Sequence, residues 1–251
     1  HAVHQALPQL DTDAIALVLF GDVPLVQAAT LETLLKLVDA NSMGVLTCVM
    51  QNPFGLGRIV RDAGGNIQRI VEEKDANAEQ KQLREINTGI MAIPVRRLQQ
   101  WLPRIGSNNA QKEYYLTDIV ALAIADGCRV VTAASLDEKE TAGINDRAQL
   151  ADLERHYQQR EAMRLMKSGV TLRDPARFDI RGSVTCGQDV AIDINVILEG
   201  SIVLGNNVKI GPNCVVRNCQ VGDNTEIAAH SVLEDSLIGK HCTIGPFARI
   251  R

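Results

Sequence analysis

A single carboxylate stands where an apolar run of the sequence ends. Residues 14–20 read AIALVLF; Gly21 and Asp22 follow directly, and Pro24 comes two positions later. A continuous apolar run is typical of a parallel strand covered on both faces, and open α/β sheets bind ligands beyond the carboxyl ends of their strands. A carboxylate there could hold Mg²⁺, which screens nucleotide phosphates. The alternative for Asp22 is a turn residue that caps the next element.

The segments around Asp22 alternate between strand and helix patterns up to about Arg147. Further strands are predicted in GVLTCVM, GRIVRD, IQRIVEE, INTGIMAIP and CRVVTAAS. TLETLLKLVDA has apolar residues at the i, i+3, i+4, i+7 spacing of an amphipathic helix, and YLTDIVALAIADG predicts another helix, closed by Gly127. GRIVRDAGGNIQRIVEE is typical of a hairpin. The pattern therefore predicts an α/β domain with a mixed, Rossmann-like sheet.

A long polar segment follows this half of the chain. Residues 146–168 read DRAQLADLERHYQQREAMRLMKS, which predicts a single helix ended by Gly169. Because little of its surface is apolar, we expect it to connect two bodies rather than to form part of a core.

Beyond Arg173 the hydrophobic pattern has a period of six residues, with two steps of five. One register holds Ile180, Cys186, Ile192, Leu198, Leu204, Ile210, Val216, Val221, Ile227, Leu233, Ile238, Ile244 and Ile250. A second register, two positions earlier, holds small or aliphatic residues from Val190 to Ala248. Two such registers predict a parallel β-helix of hexapeptide repeats. The cysteines in these registers are expected to be core residues rather than redox groups.

The composition excludes several classes of protein. A net charge of −4 in 251 residues argues against a dedicated nucleic-acid binder, and no apolar run approaches the length needed for a membrane span. The six cysteines include no C-x-x-C pair and no zinc spacing. We therefore expect a reduced, cytoplasmic protein without a nucleic-acid partner.

Seven motifs, in order along the chain, resemble those of one enzyme family. They are LFGDVPL, GLGRIVRD, IVEEKDA, EINTGI, NNAQKEYYLTD, GINDRAQL and RDPARFDIRG. The chain resembles the bacterial bifunctional enzymes that make UDP-N-acetylglucosamine, in which an N-acetylglucosamine-1-phosphate uridyltransferase is joined to a glucosamine-1-phosphate N-acetyltransferase. The resemblance implies a uridyltransferase domain at 1–147, a linker helix at 148–168 and, at 169–251, an acetyltransferase domain that is a left-handed β-helix.

The resemblance also implies where a nucleotide sugar would bind. Phe20, Gly21 and Asp22 would line the uridine-diphosphate end, with Asp22 as a Mg²⁺ ligand. Asn145 would be the second protein ligand of Mg²⁺; its alternative is the N-cap of the long helix. We treat Asp22 and Asn145 as the two catalytic residues.

Three more residues would hold the sugar. Gly57 would offer its backbone, and Glu72 and Asn87 would hydrogen-bond the hydroxyls and the acetamido group. The alternatives are a simple turn glycine for Gly57 and a solvated surface carboxylate for Glu72. A further set is expected to support the site or merely to begin a helix: Glu113, Tyr114 and Thr117.

Departures from the family pattern qualify this assignment. Phe20 and Leu56 stand where tyrosine is common, and Lys112 stands where glycine is common; we expect altered contacts without a change of chemistry. The family's glycine-rich phosphate loop would precede His1, and most of the acetyltransferase site would follow Arg251, which would itself bind the sugar phosphate of that second site. We therefore expect both domains to be incomplete and the isolated chain to be inactive.

For the whole protein, the resemblance implies two reactions. An acetyl group would pass from acetyl-CoA to glucosamine-1-phosphate, and Mg²⁺-dependent transfer from UTP to N-acetylglucosamine-1-phosphate would give UDP-N-acetylglucosamine and pyrophosphate. The β-helix would assemble a homotrimer. Two alternatives stay open: another sugar-1-phosphate nucleotidyltransferase, making ADP- or dTDP-sugars, and a non-catalytic assembly subunit.

Overall fold

Two units make up the chain, residues 1–149 and 150–251, and the computed structural model describes all of residues 1–251. The first unit is built on six strands. These are β1 (Ile15–Val18), β2 (Ser42–Val49), β3 (Arg58–Arg61), β4 (Ile67–Val71), β5 (Glu85–Pro94) and β6 (Arg129–Ser135). The order is β4-β3-β5-β2-β6, and β1 also pairs with β5. Only β2 and β6 are parallel, so the predicted mixed sheet and the β3–β4 hairpin are confirmed.

Helices cover this sheet on both faces. They are α1 (Ala2–Ala6), α2 (Ala28–Lys36), α3 (Val95–Trp101) and α4 (Ile119–Ala125). Alternate residues of β5 belong to two different core clusters, because successive side chains of a strand point to opposite faces. One cluster holds the apolar face of α2, and the other holds α3 and α4. Gly127, with φ +71°, follows α4 as predicted.

The prediction of a buried parallel strand at residues 14–20 is wrong. β1 covers only Ile15–Val18, runs antiparallel to β5, and has no fully buried residue. Ala16 and Val18 pack against one core cluster and Leu17 against the other. The run is apolar because both faces of β1 contact core residues. Its residue types do not determine whether the neighbouring strand is parallel or antiparallel.

The second unit begins with most of α5 (Arg147–Lys167). The helix is predicted correctly, but one of its faces is buried, contrary to the expectation of an exposed connector. Ala162 and Leu165 belong to the core of the β-helix. The buried Gln158 amide donates to the carbonyl of Ile180 and accepts from its N–H, both at 2.7 Å. The hydrophobic pattern did not predict this buried face of α5 because only a few of the residues on it are apolar.

Twelve short strands then wind into a parallel β-helix of about four coils. They are β7 (Thr171–Leu172), β8 (Phe178–Cys186), β9 (Ala191–Ile192), β10 (Val196–Leu204), β11 (Lys209–Ile210), β12 (Val215–Arg217), β13 (Gln220–Val221), β14 (Glu226–Ile227), β15 (Val232–Glu234), β16 (Leu237–Ile238), β17 (Thr243–Ile244) and β18 (Arg249–Ile250). Paired residues are 20 apart between β7 and β9 and 18 apart in the coils that follow, as in Val196 with Phe178. They are 17 apart in the upper ones, as in Val232 with Val215. The five-residue steps in the sequence account for the shorter coils.

Left-handed backbone conformations mark the three corners of the β-helix. The three columns are Gly182, Gly200, Asn218 and Asp235; Asp189, Asn207, Asn224 and His241; and Asn195, Asn213, His230 and Phe247. Glycine, asparagine and aspartate adopt this conformation most readily. Neighbouring coils are tied by side-chain amides, as from Asn195 to Asn213 at 2.9 Å.

All six cysteines are free thiols. Cys214 and Cys219 are buried in the β-helix core, and Cys186 packs against it, as expected. Cys242, which was also expected in the core, is only partly buried and lies outside it. Burial raises the pKa of Cys186 to about 11. None of the helices combines the length and apolarity that crossing a membrane requires.

Candidate functional site

A cleft of about 420 Å³ opens on the first unit where β3, β4 and β5 meet the segment before α4. We call it the β3–β5 cleft. Its lining includes Phe20, Gly57, Glu72 and Asn87, which come from four separate motifs of the sequence. The fold therefore brings together the three residues that were expected to hold the sugar, Gly57, Glu72 and Asn87, and one that was expected at the uridine-diphosphate end, Phe20.

The β3–β4 hairpin forms one wall of this cleft. Arg58 pairs with Val71, and the same antiparallel register, continued by one residue, places Gly57 opposite Glu72. A Cβ atom added to Gly57 would lie 3.2 and 3.3 Å from the two carboxylate oxygens of Glu72. Cγ2 of Ile70 would lie at 3.1 Å, so a side chain at position 57 would require Ile70 or the Glu72 carboxylate to shift by a few tenths of an ångström.

A bulge in β5 forms the floor of the cleft. The register of β2 against β5 shifts between Val45 and Thr47, so that extra residues of β5 loop out around Gly89. The N–H of Asn87 donates to the carbonyl of Gly57 at 2.8 Å, and the side-chain oxygen of Asn87 accepts from the N–H of Gly89 at 3.1 Å. Bulges commonly turn side chains toward active sites. This one fixes the orientation of the Asn87 amide.

Phe20 lies against the bulge. Gly89 has φ +80°, and a Cβ atom there would come within 1.9 Å of the Phe20 ring. Phe20 is 48% exposed, the edge of its ring at Cε2 and Cζ points at Gly89, and the residue also lines the cleft. Gly21, the next residue, is exposed and lies outside the lining of the cleft.

The segment before α4 closes the other side. The Thr117 hydroxyl donates to Oε1 of Glu72 at 3.0 Å, which leaves Oε2 available to a ligand. Tyr114 also lines the cleft and is 73% exposed. Glu113 does not: it is exposed, and its backbone is held by the side chain of Asn109. Thr117 is thus the one of this set that contacts a predicted sugar-binding residue.

Sequence reasoning missed Tyr115. Its hydroxyl is buried without a hydrogen-bond partner in a residue that lines the cleft. Desolvation raises the pKa of Tyr115, and the carboxylates of Asp75, Glu113 and Glu72 raise it further. The doubled tyrosine in the motif offered no signal of which ring would turn inward.

Asp22 and Asn145 belong to two segments that are joined by a backbone hydrogen bond. The N–H of Ile144 donates to the carbonyl of Asp22 at 2.9 Å, and a Cβ atom on Gly143 would lie 3.8 Å from Oδ2 of Asp22. Both Asp22 and Asn145 are exposed. The alternative role of Asn145 as the helix cap is wrong, because Asp146 accepts from the N–H of Gln149 at 2.8 Å and so caps α5.

These two side chains suit a hard cation. Mg²⁺ prefers oxygen ligands and is usually held by one or two protein groups together with substrate phosphates and water. A carboxylate and an amide oxygen in adjoining exposed segments fit that requirement. The structure contains no group of three or more histidine, cysteine or acidic side chains that would make an all-protein metal site.

The segment that carries Asn145 is anchored by Glu140, a residue without any signal in the sequence. This buried carboxylate accepts from the N–H of Gln27 at 3.0 Å and from the Ser135 hydroxyl at 2.7 Å. It thereby ties the segment to the start of α2 and the end of β6. One acid among three in SLDEKE could not be singled out by type alone.

Besides Phe20, the other two departures from the family pattern are at Leu56 and Lys112. Leu56 lines the cleft beside Gly57, where a hydroxyl would be available to a ligand. Lys112 has φ +55°, a backbone conformation that favours the glycine commonly found there.

Arg251 lies in the second unit. It is 64% exposed, and its Nε lies 3.4 Å from Glu234, which also pairs with Arg217 at 2.6 Å. The residue is thus the last of a column of alternating charges along one face of the β-helix, with Glu199 and Arg181 below Arg217.

Comparison with known proteins identifies relatives of the whole chain. A family model described as the GMPPB C-terminal domain matches residues 180–251. The chain is 55% identical over 251 residues to the bifunctional protein GlmU of Pseudomonas entomophila (strain L48), and 53% identical to that of Stutzerimonas stutzeri (strain A1501). Each match covers 100% of the chain and 55% of the relative, so the chain spans about half the length of these proteins.

A solved structure of CMP:2-keto-3-deoxy-manno-octonic acid synthetase complexed with CTP is a much more distant match. It has a TM-score of 0.42 and 15% identity, and it covers 60% of this chain and 64% of that one. The whole-length matches are far stronger. The chain is thus homologous, along its entire length, to part of the proteins named bifunctional GlmU.

Proposed function

We propose that the full-length protein makes UDP-N-acetylglucosamine in two steps. It transfers an acetyl group from acetyl-CoA to glucosamine-1-phosphate, and then a uridylyl group from UTP to N-acetylglucosamine-1-phosphate, with release of pyrophosphate. The observation that carries this proposal is the convergence of Phe20, Gly57, Glu72 and Asn87 on one cleft in a chain homologous to GlmU over all its residues.

In the proposed uridylyl transfer, the β3–β5 cleft holds the sugar. The free Oε2 of Glu72 accepts from a sugar hydroxyl, while Thr117 keeps the carboxylate turned into the cleft. Asn87, oriented by the bulge, is placed to hydrogen-bond the acetamido group, and Gly57 lets the sugar approach the backbone. The chain's contribution is positioning, which by itself accounts for a large part of many rate enhancements.

The same proposal assigns the nucleotide to the neighbouring surface. Phe20 and Gly21 border the uridine-diphosphate end, and Asp22 and Asn145 hold Mg²⁺. When bound, Mg²⁺ neutralises charge on the phosphates during phosphoryl transfer. The attacking sugar phosphate is already ionised, so its oxygen attacks the α-phosphate of UTP without a general base, and pyrophosphate leaves.

The remaining assignments concern the protein as a whole. We assign the uridyltransferase to 1–147, a linker helix to 148–168, and part of the acetyltransferase to 169–251, with Arg251 binding the phosphate of glucosamine-1-phosphate. We further propose a cytoplasmic homotrimer formed through the β-helix. The six free thiols support a reducing compartment.

A nucleotide panel tests the proposed activity. The full-length protein is supplied with N-acetylglucosamine-1-phosphate, Mg²⁺ and one of UTP, ATP or dTTP. We expect a nucleotide sugar from UTP alone. Preference for ATP or dTTP would contradict the proposed substrate, and no product with any nucleotide would favour a non-catalytic subunit.

Variants separate the two reactions. Asp22→Ala should abolish uridylyl transfer and leave acetyl transfer nearly intact. The matched control is Asp13→Ala, which removes an exposed carboxylate paired with Arg96 at 2.6 Å, before the start of β1. Equal loss of both activities in folded Asp22→Ala would refute the assignment. For the assembly, light scattering should report a trimer, and a clean monomer at micromolar concentration would contradict it.

A further inference from the structure

A buried arginine lies directly behind the β3–β5 cleft. The side chain of Arg58 is 2% exposed, and it is not part of the lining of the cleft. Its Nη2 pairs with Oε2 of Glu73 at 2.6 Å, and its Nη1 donates to the carbonyl of Leu56. Its Nε is buried without a partner. This guanidinium therefore sits in protein on all sides, held by two acceptors.

The two acceptors belong to opposite strands of the hairpin. Continued by two residues, the register of Arg58 with Val71 places Leu56 opposite Glu73. Leu56 precedes Gly57, and Glu73 follows Glu72. One rigid guanidinium thus bridges the ends of both strands immediately beyond the pair that lines the cleft.

Stability alone does not explain such a group. Burying a guanidinium is costly, and a buried ion pair is often no more stabilising than apolar residues of the same volume. The planar fork of arginine, however, fixes the relative position of two acceptors in a way that neither apolar packing nor a lysine ammonium reproduces. The arrangement therefore favours a role in geometry.

We propose that Arg58 is a positioning residue that sets the separation of Gly57 from Glu72 and thereby the affinity for the sugar phosphate. The inference rests on the proposed function of the cleft. It predicts an effect confined to one substrate, because the hairpin borders the sugar and not the surface that we assign to the nucleotide.

A second pair in the same strand provides a matched control. Arg61, three residues further along β3, pairs with Glu85 of β5 at 2.5 Å, and the side chains are 30% and 24% exposed. Neither residue lines the cleft. Loss of this pair removes an ion pair from β3 without releasing Gly57 or Glu72.

The test is steady-state kinetics of uridylyl transfer in the full-length protein. Glu73→Ala and Arg58→Lys should each raise the KM for N-acetylglucosamine-1-phosphate about tenfold, with the KM for UTP unchanged. Glu73→Gln, whose amide oxygen still accepts from Nη2, should restore the KM to within about threefold of the wild type. The controls Glu85→Ala and Arg61→Lys should leave both KM values within about twofold of the wild type. Their melting temperatures should fall, as should those of the Arg58 and Glu73 variants.

Three results would overturn the proposal: a KM for the sugar phosphate that Glu73→Ala leaves unchanged, a parallel rise of both KM values, or an equal effect of the control pair. If Arg58→Lys does not fold, the two Glu73 variants decide. A wild-type protein that makes no UDP-N-acetylglucosamine would instead refute the proposed function, and this inference with it. An active wild type with unaffected variants refutes only the role of Arg58.

Discussion

Gly89→Ala is the substitution for which the structure predicts the clearest consequence. Gly89 has φ +80°, where a residue with a Cβ atom costs about 1–2 kcal/mol relative to glycine. The new methyl group would also lie 1.9 Å from Cε2 and 2.7 Å from Cζ of Phe20. Overpacking of this kind costs about 1–3 kcal/mol unless the neighbour moves. We therefore expect Gly89→Ala to lower the free energy of unfolding by about 2–5 kcal/mol.

Two further variants separate the contributions. Gly65→Ala lies in the β3–β4 turn at φ +82° with nothing within 4 Å of the added Cβ, so it should show only the backbone cost of about 1–2 kcal/mol. Phe20→Ala combined with Gly89→Ala removes the clash, and the double variant should be more stable than the sum of the single changes by about 1–3 kcal/mol.

Urea denaturation followed by circular dichroism measures these differences. We expect Gly89→Ala to lose more stability than Gly65→Ala. We also expect the Phe20→Ala/Gly89→Ala double variant to be more stable than the sum of its single changes predicts. A Gly89→Ala protein no less stable than Gly65→Ala, or strict additivity in the double variant, would refute the packing of Phe20 on the bulge.

Three other predictions concern single residues. Because burial raises the pKa of Cys186 to about 11, its contribution to stability should be complete below the ordinary thiol value of 9.0 and lost as the pH rises through 11; alkylation of Cys186 in the folded protein should stay slow at pH 9, and rapid labelling there would contradict this. Hydrogen bonds, chiefly from Arg104, lower the pKa of Asp126, so the stability difference between wild type and Asp126→Asn should be greatest near neutral pH and shrink as the pH falls below 3.8; a difference as large at acid pH as at neutral pH would be inconsistent with this. Gly222→Ala places a methyl group 2.7 Å from the backbone of the next coil and should cost about 1–3 kcal/mol, whereas Gly106→Ala, with nothing within 4 Å, should be neutral; equal melting temperatures would argue against this coil spacing.

Periodicity predicted the elements of this protein well. The six-residue registers fix the β-helix because each inward position must be small or aliphatic in every coil. The α2 prediction holds for the same reason: Leu31, Leu34, Leu35 and Val38 all reach one core cluster. Buried positions recur at a fixed spacing in each element and must be apolar, so they appear as a periodic pattern in a single sequence.

The sequence did not predict which strand pairs with β1 or which face of α5 is buried. The partner of β1 depends on residues some 75 positions later, and nothing in AIALVLF specifies that β5 runs antiparallel to it. The buried face of α5 depends on Gln158, a polar residue whose two hydrogen bonds to Ile180 satisfy it. Contacts between polar groups that are distant in the sequence produce no periodic pattern from which they could be predicted.

In the candidate site, too, some features could be predicted from the sequence and others depend on tertiary contacts. Gly57 and Glu72 lie opposite each other because the hairpin register places them there, and that register follows from the two strand patterns with their turn. The bulge at Gly89, the anchoring carboxylate of Glu140 and the buried hydroxyl of Tyr115 depend on tertiary contacts. The motifs therefore indicate the candidate residues, and tertiary contacts that the motifs do not reveal orient them.

The measurement that tests the proposed site most directly is a crystal structure of the full-length protein with UDP-N-acetylglucosamine and Mn²⁺, which replaces Mg²⁺ and can be located by its anomalous scattering. We predict the sugar in the β3–β5 cleft, with a hydroxyl at Glu72 and the acetamido group at Asn87, and an anomalous peak bonded to Asp22 and Asn145. A sugar bound elsewhere, or a metal ion on the diphosphate that contacts neither Asp22 nor Asn145, would contradict the assignment.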